Sequence, residues 1–389
     1  MMVFYIEKGG KKAMNYTNLA RIEAIALIAV IAGFGWEIYT LNNAVQSLSA
    51  TVTLSGAGAT FPAPLIQKWT EEFYILTSVQ ANYEGIGSGG GIQQHTAKTV
   101  DFGATDPPMT ASEFTAASGT LHIPVTIGGV VIVYNIPGIS KGLNFTGEVI
   151  ADIFRLNITR WNDPRLAALN PSVTLPNQQI IVCHRSDSSG TTAVFTSFLS
   201  DENQAWKNNF GASKVISWPG GTLGGSGNPG VAALVQQNQY SIGYVELTYA
   251  LQNNIPYGKM LNSVGEFVEP TRETLATAAA ASSLSLPQGD QSWASVGTYF
   301  NLHKVADPKG GYPITSFSHI IVYKELNVVP KMTKEKATAL VKFLWYATHE
   351  GQFYAPGLSY VPLPQEVVTH NEATIRMITF NGQQIATWS

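Results

Sequence analysis

The sequence lacks several features on which common functional classes depend. It has one cysteine in 389 residues, Cys183, so an internal disulfide or a paired-cysteine metal site is excluded. None of the seven histidines belongs to an HExxH pair, which leaves a zinc enzyme without support. Charged residues are only 13% of the chain and the formal net charge is −3, so no basic stripe is available to neutralise nucleic-acid phosphates. We therefore expect no nucleic-acid partner, and Cys183 is predicted to be a buried strand residue.

Two further motifs are missing, and a third is incomplete. No glycine loop is followed by the lysine of a phosphate-binding P-loop, and no GxSxG elbow points to acyl hydrolysis. The spacing of Gly85, Gly87 and Gly90 matches the dinucleotide fingerprint, with Asp106 about twenty residues later. The stretch that follows, 91–98, is shorter than the helix of an ordinary βαβ crossover. No metal and no cofactor are expected.

The N-terminal segment differs from the rest of the chain. Residues 1–21 contain four Lys and Arg residues and are predicted to be a cytoplasmic tail. Residues 22–41 are apolar and about 30 Å long as a helix, which is barely enough to span a bilayer. They are predicted to be a membrane anchor, or alternatively a cleaved signal segment, and 42–52 a polar linker. Either interpretation places the remainder outside the cytoplasm, on the extracellular face of the plasma membrane or secreted.

From Thr53 onward, strands, glycine-rich turns and helices alternate, which predicts an α/β fold. The long apolar stretches 123–136 and 312–325 are interpreted as two strands that cross between domains. Each domain is then discontinuous. The glycine-rich segment 218–234 is predicted to be an ordered loop that leads into a helix. The predicted lobes are 53–124 with 313–389 for lobe 1, and 125–312 for lobe 2.

Three turns share one unusual composition. In "GAGATFPAPL", "GIGSGGGIQQ" and "SSGTTAVF", a strand runs into Ser, Thr and Gly residues, and the following helix has no acidic residue in its first turn. Free N–H groups and the helix dipole normally attract a carboxylate there. Hydroxyls and glycines at such a position can hold an anion instead. Ordinary capping by Ser or Thr is the alternative for each turn alone, but three together favour an anion site.

The charged residues near these turns limit the kinds of anion that the site could bind. Arg185 provides a planar donor that suits a tetrahedral oxyanion, and Asp187 is placed to orient it. Asp106 would repel an anion unless the ligand has a proton to donate, as hydrogen phosphate does and sulfate does not. The alternatives are a surface salt bridge for Arg185 and Asp187, and a turn residue before Pro107 for Asp106.

The chain resembles the phosphate-binding proteins of high-affinity phosphate ABC importers. The resemblance covers about residues 53–365, and the motifs occur in the same order as in that family: the three turns above together with "DFGATDPPM", "TIGGVVIVYNIPG" and "SIGYVE". The resemblance implies a two-lobed, periplasmic-binding-protein-like fold (type II), with two discontinuous α/β domains joined by two crossing strands. It implies Asp187 as the partner of the arginine. Two positions depart from the family pattern, where Gly89 replaces a Ser and His184 an Arg. The phosphate-binding residues that it implies are Thr60, Phe61, Ser88, Asp106, Arg185, Ser189, Gly190 and Thr191.

The resemblance also implies a function. The chain is expected to bind inorganic phosphate outside the cytoplasm and to deliver it to ABC permease subunits that work with a cytoplasmic ATPase. It is expected to be a monomer, held at the membrane by its N-terminal anchor, and not an enzyme. The alternatives are a receptor or sensor for another oxyanion and, as a further alternative, an extracellular phosphatase.

Overall fold

The computed structural model describes residues 52–281, 286–304 and 308–385. The predicted cytoplasmic tail, the anchor or signal segment and all but the last residue of the linker lie outside the described residues. Among the helices of the described ranges, none is both long enough and apolar enough to cross a membrane.

Most strands of the described residues join one large sheet. Its strand order is β2-β1-β3-β11-β4-β8-β6-β7; β10, β9 and β5 form a small second sheet, and β12 pairs with β13. The strands are β1 Thr53–Gly58, β2 Gln80–Gly85, β3 Phe102–Thr105, β4 Thr120–Asn135, β5 Asn144–Phe145, β6 Ile181–Arg185, β7 Leu223–Gly225, β8 Ser241–Glu246, β9 Lys259–Leu261, β10 Phe267–Val268, β11 Thr315–Tyr323, β12 Thr379–Phe380 and β13 Gln383–Gln384.

Helices cover the faces of the sheet. Short 3₁₀ turns at Leu302–Lys304, Leu326–Val328, Glu350–Tyr354 and Pro356–Leu358 complete the connections. The α-helices of the described residues are α1 Ala63–Thr77, α2 Ser88–Thr96, α3 Ala111–Ala116, α4 Gly147–Phe154, α5 Pro164–Leu169, α6 Gly190–Glu202, α7 Gln204–Asn209, α8 Gly227–Gln237, α9 Leu247–Gln252, α10 Arg272–Ala281, α11 Lys334–Thr348 and α12 Gln365–Ile375.

The long strand β4 divides the large sheet into two parts. Residues 120–129 of β4 pair with β11, whereas residues 130–135 pair with β8. β2, β1, β3, β11 and the start of β4 therefore build a first lobe, and the end of β4 with β8, β6 and β7 builds a second lobe. The predicted two-lobed α/β fold is confirmed. The lobe boundaries at 124/125 and 312/313 stay predictions.

The strand directions place three helix starts at the cleft between the lobes. β1 runs parallel to β2 and β3, and β6 runs parallel to β7 and β8. α1 and α2 begin just after β1 and β2 end, and α6 begins five residues after β6 ends. Ligands of α/β sheets bind beside such strand ends, because the helix N-termini gather there.

Two sequence predictions about single segments can be compared with the structure. Cys183 is fully buried in β6, as predicted. The glycine-rich segment 218–234 is ordered and leads into α8, but it also contains the short strand β7, which the composition did not predict. Gly225 shows why glycine is needed there, because a Cβ on it would lie 2.5 Å from the main chain of Gly230.

Residues 286–304 form a further connection between the lobes. On the first lobe, the Gly289 carbonyl accepts a 3.0 Å hydrogen bond from His122 N–H, and the fully buried Trp293 stacks on the His122 ring. On the second lobe, the Tyr299 hydroxyl and the Asn301 side chain donate to Asp201 Oδ2 at 2.6 and 2.7 Å. The segment therefore bridges both lobes, beside β4 and the chain that enters β11.

Candidate anion-binding site

Three helix N-termini form the frame of the site. α1 follows Pro62 and α2 follows Gly87, and neither preceding side chain caps the helix by a hydrogen bond. At α6, Ser189 Oγ accepts a 3.0 Å bond from Thr192 N–H. No acidic residue lies in the first turn of any of the three. The first N–H groups of a helix have no intrahelical acceptor, so those that no cap or neighbouring carbonyl accepts from are donors suited to an anion.

Arg185 is the positive charge of the site and is almost completely buried, at 3% exposure. Its Nε and Nη2 donate to Asp187 Oδ1 and Oδ2 at 2.7 and 2.5 Å, which fixes the guanidinium plane. Burial alone would raise the pKa of Asp187, but the paired bonds from Arg185 hold that pKa below its usual range. Nη1 of Arg185 donates to Thr191 Oγ1 at 3.2 Å, so the guanidinium reaches the start of α6.

Asp106, one residue beyond β3, is the one carboxyl group among the predicted ligands and is 1% exposed. Its Oδ1 accepts from the Ser318 hydroxyl at 2.9 Å, and its Oδ2 lies 3.4 Å from Ser88 Oγ. Burial raises the pKa of Asp106 to about 7, while the Ser318 bond and the charge of Arg185 oppose that shift. Near neutral pH this group can therefore accept a proton from a ligand.

Gly190 marks the point where the lobes meet. A Cβ on this first residue of α6 would lie 2.2 Å from both Asp106 Oδ2 and Ser88 Oγ. Close by, Gly89 N–H donates across the cleft to the Ser188 carbonyl at 2.9 Å. The N-termini of α2 and α6 thus face each other across the cleft, with Asp106 at their contact.

The structure brings the predicted site residues together. Ser88, Asp106 and Gly190 meet at the lobe contact, and Arg185, Asp187 and Thr191 form one bonded group. Ser189 is the N-cap of α6. Thr60 and Phe61 precede α1, and their carbonyls accept from the hydroxyls of Tyr249 and Tyr360, both at 2.6 Å. Their roles as ligands remain predictions.

Three residues that the sequence did not predict complete the site. Asn228, at the start of α8, donates to the side chains of Thr60 and Thr191. Ser318 donates to Asp106, and it stands where the pairing of β11 with β4 shifts register. Tyr249 holds the carbonyl of Thr60. The only sequence clue was a polar residue in a glycine-rich turn for Asn228, and one in an otherwise apolar strand for Ser318.

The remaining chemistry near the site is limited. His184 stacks on Trp218 with ring centroids 4.6 Å apart, and its nitrogens lie within hydrogen-bond distance of the Arg185 carbonyl and the Thr222 hydroxyl. It is thus a packing residue beside the arginine. Within the described ranges, no group of three or more His, Cys, Asp or Glu side chains could hold a metal ion.

Comparisons with known proteins agree with this geometry. A family model described as a PBP superfamily domain matches residues 44–348. The phosphate-binding protein PstS of Pasteurella multocida is 42% identical over 332 residues, covering 82% of this chain and 89% of that protein. The protein of the same name from Methanocaldococcus jannaschii is 38% identical over 346 residues, covering 85% and 87%. A solved high affinity periplasmic phosphate-binding protein with bound phosphate superposes with a TM-score of 0.67 at 21% identity, covering 83% and 93%.

A two-lobed α/β fold with helix N-termini facing a buried arginine defines the class of periplasmic-type ligand-binding proteins. Within that class, the chain belongs to the phosphate-binding protein family of the PBP superfamily.

The raised pKa of Asp106 predicts how stability depends on pH. Its folded-state pKa of about 7 lies above the ordinary value of 3.8. The folded protein therefore holds a proton that the unfolded chain has lost, so stability falls as pH rises from about 4 to 7, by at most about 4 kcal/mol. Asp106→Asn removes this contribution. The measurement is the free energy of unfolding in urea without phosphate. We expect the difference between the variant and the unmodified protein to be more favourable to the variant at pH 8 than at pH 5.

The comparison of the two proteins cancels most of the effect of other buried acids. Burial is the main cause that raises the pKa of Glu246 well above its usual range, and it acts in both proteins; the smaller part of that shift that comes from the charge of Asp106 is lost in Asp106→Asn and counts with the effect of Asp106. A stability difference that is equal at pH 5 and pH 8 would contradict the raised pKa of Asp106.

Proposed function

We propose that this protein binds inorganic phosphate with high affinity outside the cytoplasm and delivers it to an ABC-type phosphate permease. The observation that carries the proposal is the buried Asp106 carboxyl, which faces the N-terminus of α6 with Arg185 nearby. The relatives at 42% and 38% identity are named phosphate-binding proteins, and we assign this chain to the same activity.

The proposed ligand set combines many donors with one acceptor. Thr60, Ser88 and Thr191 offer hydroxyls, and Arg185 offers a guanidinium N–H. The main-chain N–H groups of Phe61 and Gly190 would add to them, together with the Ser189 hydroxyl, whose oxygen accepts from Thr192 N–H and whose proton can still donate. Asp106 is the acceptor for the proton of hydrogen phosphate. Sulfate has no such proton, so its oxygen would face a buried carboxylate, at a penalty of several kcal/mol in rough terms. Phosphate is favoured over sulfate for this reason.

Closure of the lobes would complete the site. The second lobe supplies Arg185 and the N-terminus of α6, while the first supplies Asp106 and the N-termini of α1 and α2. Bringing them together excludes water, and hydrogen bonds to a charged ligand strengthen when water leaves. The closed form would then dock on the permease. We take the predicted limits 53–124 with 313–389, and 125–312, as the bodies that move.

Catalysis is not part of the proposal, and the chain is a binding protein rather than an enzyme. Ser189 is the candidate nucleophile of a phosphatase, but its Oγ accepts the Thr192 N–H as a helix cap. The nearest histidine in sequence, His184, has both nitrogens at hydrogen-bond distance from Arg185 O and Thr222 Oγ1. Neither contact provides the base that a serine nucleophile needs.

We also propose that residues 22–41 are an uncleaved membrane anchor and that 42–52 tether the binding protein to the outer face of the plasma membrane. The apolar length and the preceding basic residues support this placement. A tether would keep the receptor near its permease, and the protein would act as a monomer.

Calorimetry of residues 51–389 tests the function. We expect tight binding of phosphate that a large excess of sulfate does not displace. Asp106→Asn should raise the affinity for sulfate relative to phosphate, because the amide can donate to an unprotonated oxygen. Absence of phosphate binding, or equal binding of both anions, would overturn the proposal; an unchanged anion preference in Asp106→Asn would overturn only the role of Asp106.

A methyl group at the lobe contact should block closure. In Gly190→Ala, the added Cβ would overlap Asp106 Oδ2 and Ser88 Oγ. We expect phosphate affinity to fall by about 100-fold or more, since each lost 1.4 kcal/mol is a factor of ten. The matched control is Gly220→Ala, where a Cβ would meet nothing within 4 Å. Calorimetry of both variants checks this, and equal affinities would show that the lobes need not approach so closely.

The membrane anchor is tested by fractionation. In its host cell, the full chain should sediment with membranes at its uncleaved mass of 41.9 kDa. The same chain without residues 22–41 should lose this association. Recovery of a shortened mature protein from the medium would instead identify a cleaved signal segment.

A further inference from the structure

Asn228 joins two of the predicted ligand side chains across the cleft. It lies in the first turn of α8 in the second lobe, is fully buried, and contacts both lobes. Its side-chain Nδ2 lies 2.9 Å from Thr60 Oγ1, which belongs to the first lobe, and 3.1 Å from Thr191 Oγ1, which belongs to the second. Its main-chain N–H also points to Thr60 Oγ1, at 3.1 Å.

Chemistry settles the orientation of the Asn228 amide. The main-chain N–H of Glu246 lies 3.0 Å from one end of the amide, and an N–H group can only donate. That end must therefore be the oxygen. The NH₂ end then faces the two threonine hydroxyls, and each of its two protons has one hydroxyl oxygen as acceptor.

These bonds determine which way the two hydroxyl protons can point. Thr60 Oγ1 accepts from Asn228 N and Nδ2, and Thr191 Oγ1 accepts from Asn228 Nδ2 and Arg185 Nη1. A hydroxyl has two lone pairs and one proton. With both lone pairs occupied, each hydroxyl can no longer accept, and its proton is left to donate. Among the described residues, neither hydroxyl has an acceptor for that proton.

We propose that Asn228 is a positioning residue that makes Thr60 and Thr191 obligate donors to the bound oxyanion, and that it does so only when the lobes are closed. This inference rests on the proposed phosphate-binding function. The bond from Asn228 to Thr191 stays within the second lobe, but both bonds to Thr60 cross the cleft. Opening would release Thr60 from its two donors and free its hydroxyl to rotate.

The consequence is selection by the protonation state of the ligand. A freely rotating hydroxyl can turn and accept a ligand proton, whereas the two fixed hydroxyls cannot. Asp106 accepts one proton, and a second proton on phosphate would face a fixed donor. The charged and titratable groups around Asn228 are present both in the unmodified protein and in an Asn228 variant, so their titration, that of Asp106 included, is common to the two pH profiles that are compared. They are Arg185, Asp187 and Asp106 at the cleft, Glu246, whose main-chain N–H donates to the amide oxygen, and Tyr249 on α9.

The test compares Asn228→Leu with the unmodified protein, both as the full chain purified in a mild detergent. The substitution keeps the approximate shape and the main-chain N–H but removes the two N–H donors of the side-chain amide. We expect phosphate affinity at pH 8 to fall about tenfold or more, in line with the loss of bonds to a charged ligand. For the unmodified protein, affinity should decrease as pH falls from 8 to 5.5, and this decrease should be smaller in Asn228→Leu because the freed hydroxyls can accept the second proton.

Two controls separate positioning from a structural effect. Asn238→Leu alters the other end of the same helix, where the amide bonds only the Leu234 carbonyl, and should bind as the unmodified protein does. In a double-mutant cycle, the losses of phosphate-binding free energy caused by Asn228→Leu and Thr191→Val should be less than additive, because both substitutions act through the Thr191 hydroxyl. An unchanged pH slope together with additive losses would overturn the inference. If the unmodified protein itself fails to bind phosphate, the proposed function fails instead.

Discussion

The site depends on a buried arginine whose charge is already compensated. Arg185 and Asp187 form a two-bond pair at 3% exposure of the arginine, so the pair as a whole is neutral. An incoming dianion therefore gains little from net charge and depends on oriented dipoles, namely helix N–H groups, hydroxyls and the two guanidinium N–H groups that remain. Such donors act only at short range and in fixed directions. This explains why three helix starts and two lobes must meet within a few ångströms, and why glycine occupies the point of contact.

The sequence was informative where the chemistry is local. The three turns without acidic residues, and the pairing of Arg185 with Asp187, could be inferred because helix capping and a contact two residues apart are properties of short segments. Asn228 and Ser318 could not, because their importance lies in partners 168 and 212 residues away in sequence. The register shift beside Ser318 arises from strand pairing. The bridging role of residues 286–304 likewise depends on side chains that meet only in the folded chain.

One departure from the family pattern has a structural counterpart. The family resemblance leads one to expect a serine at position 89, where this chain has Gly89. A Cβ there would lie 2.0 Å from Ser188 Oγ, on the facing loop of the other lobe. The two positions are therefore coupled across the cleft. The hydroxyl that the first lobe lacks at this point is present on the second lobe as that of Ser188, so the cleft mouth has a polar group there.

The segment 286–304 changes how many independent motions the lobes have. The strand β4 and the chain that enters β11 run side by side between the lobes and act as a flexible ribbon, about which two bodies can both bend and twist. A third bridge, fastened by Trp293 on one body and by Tyr299 on the other, opposes twisting because its second attachment, at Asp201 of α6, lies outside the two strands. The relative movement is then restricted toward rotation about a single axis. When the lobes close by rotation about one axis, they approach each other in the same way each time. The hydrogen-bond donors, which act only over a narrow range of angles, then reach the ligand in the same alignment at every closure.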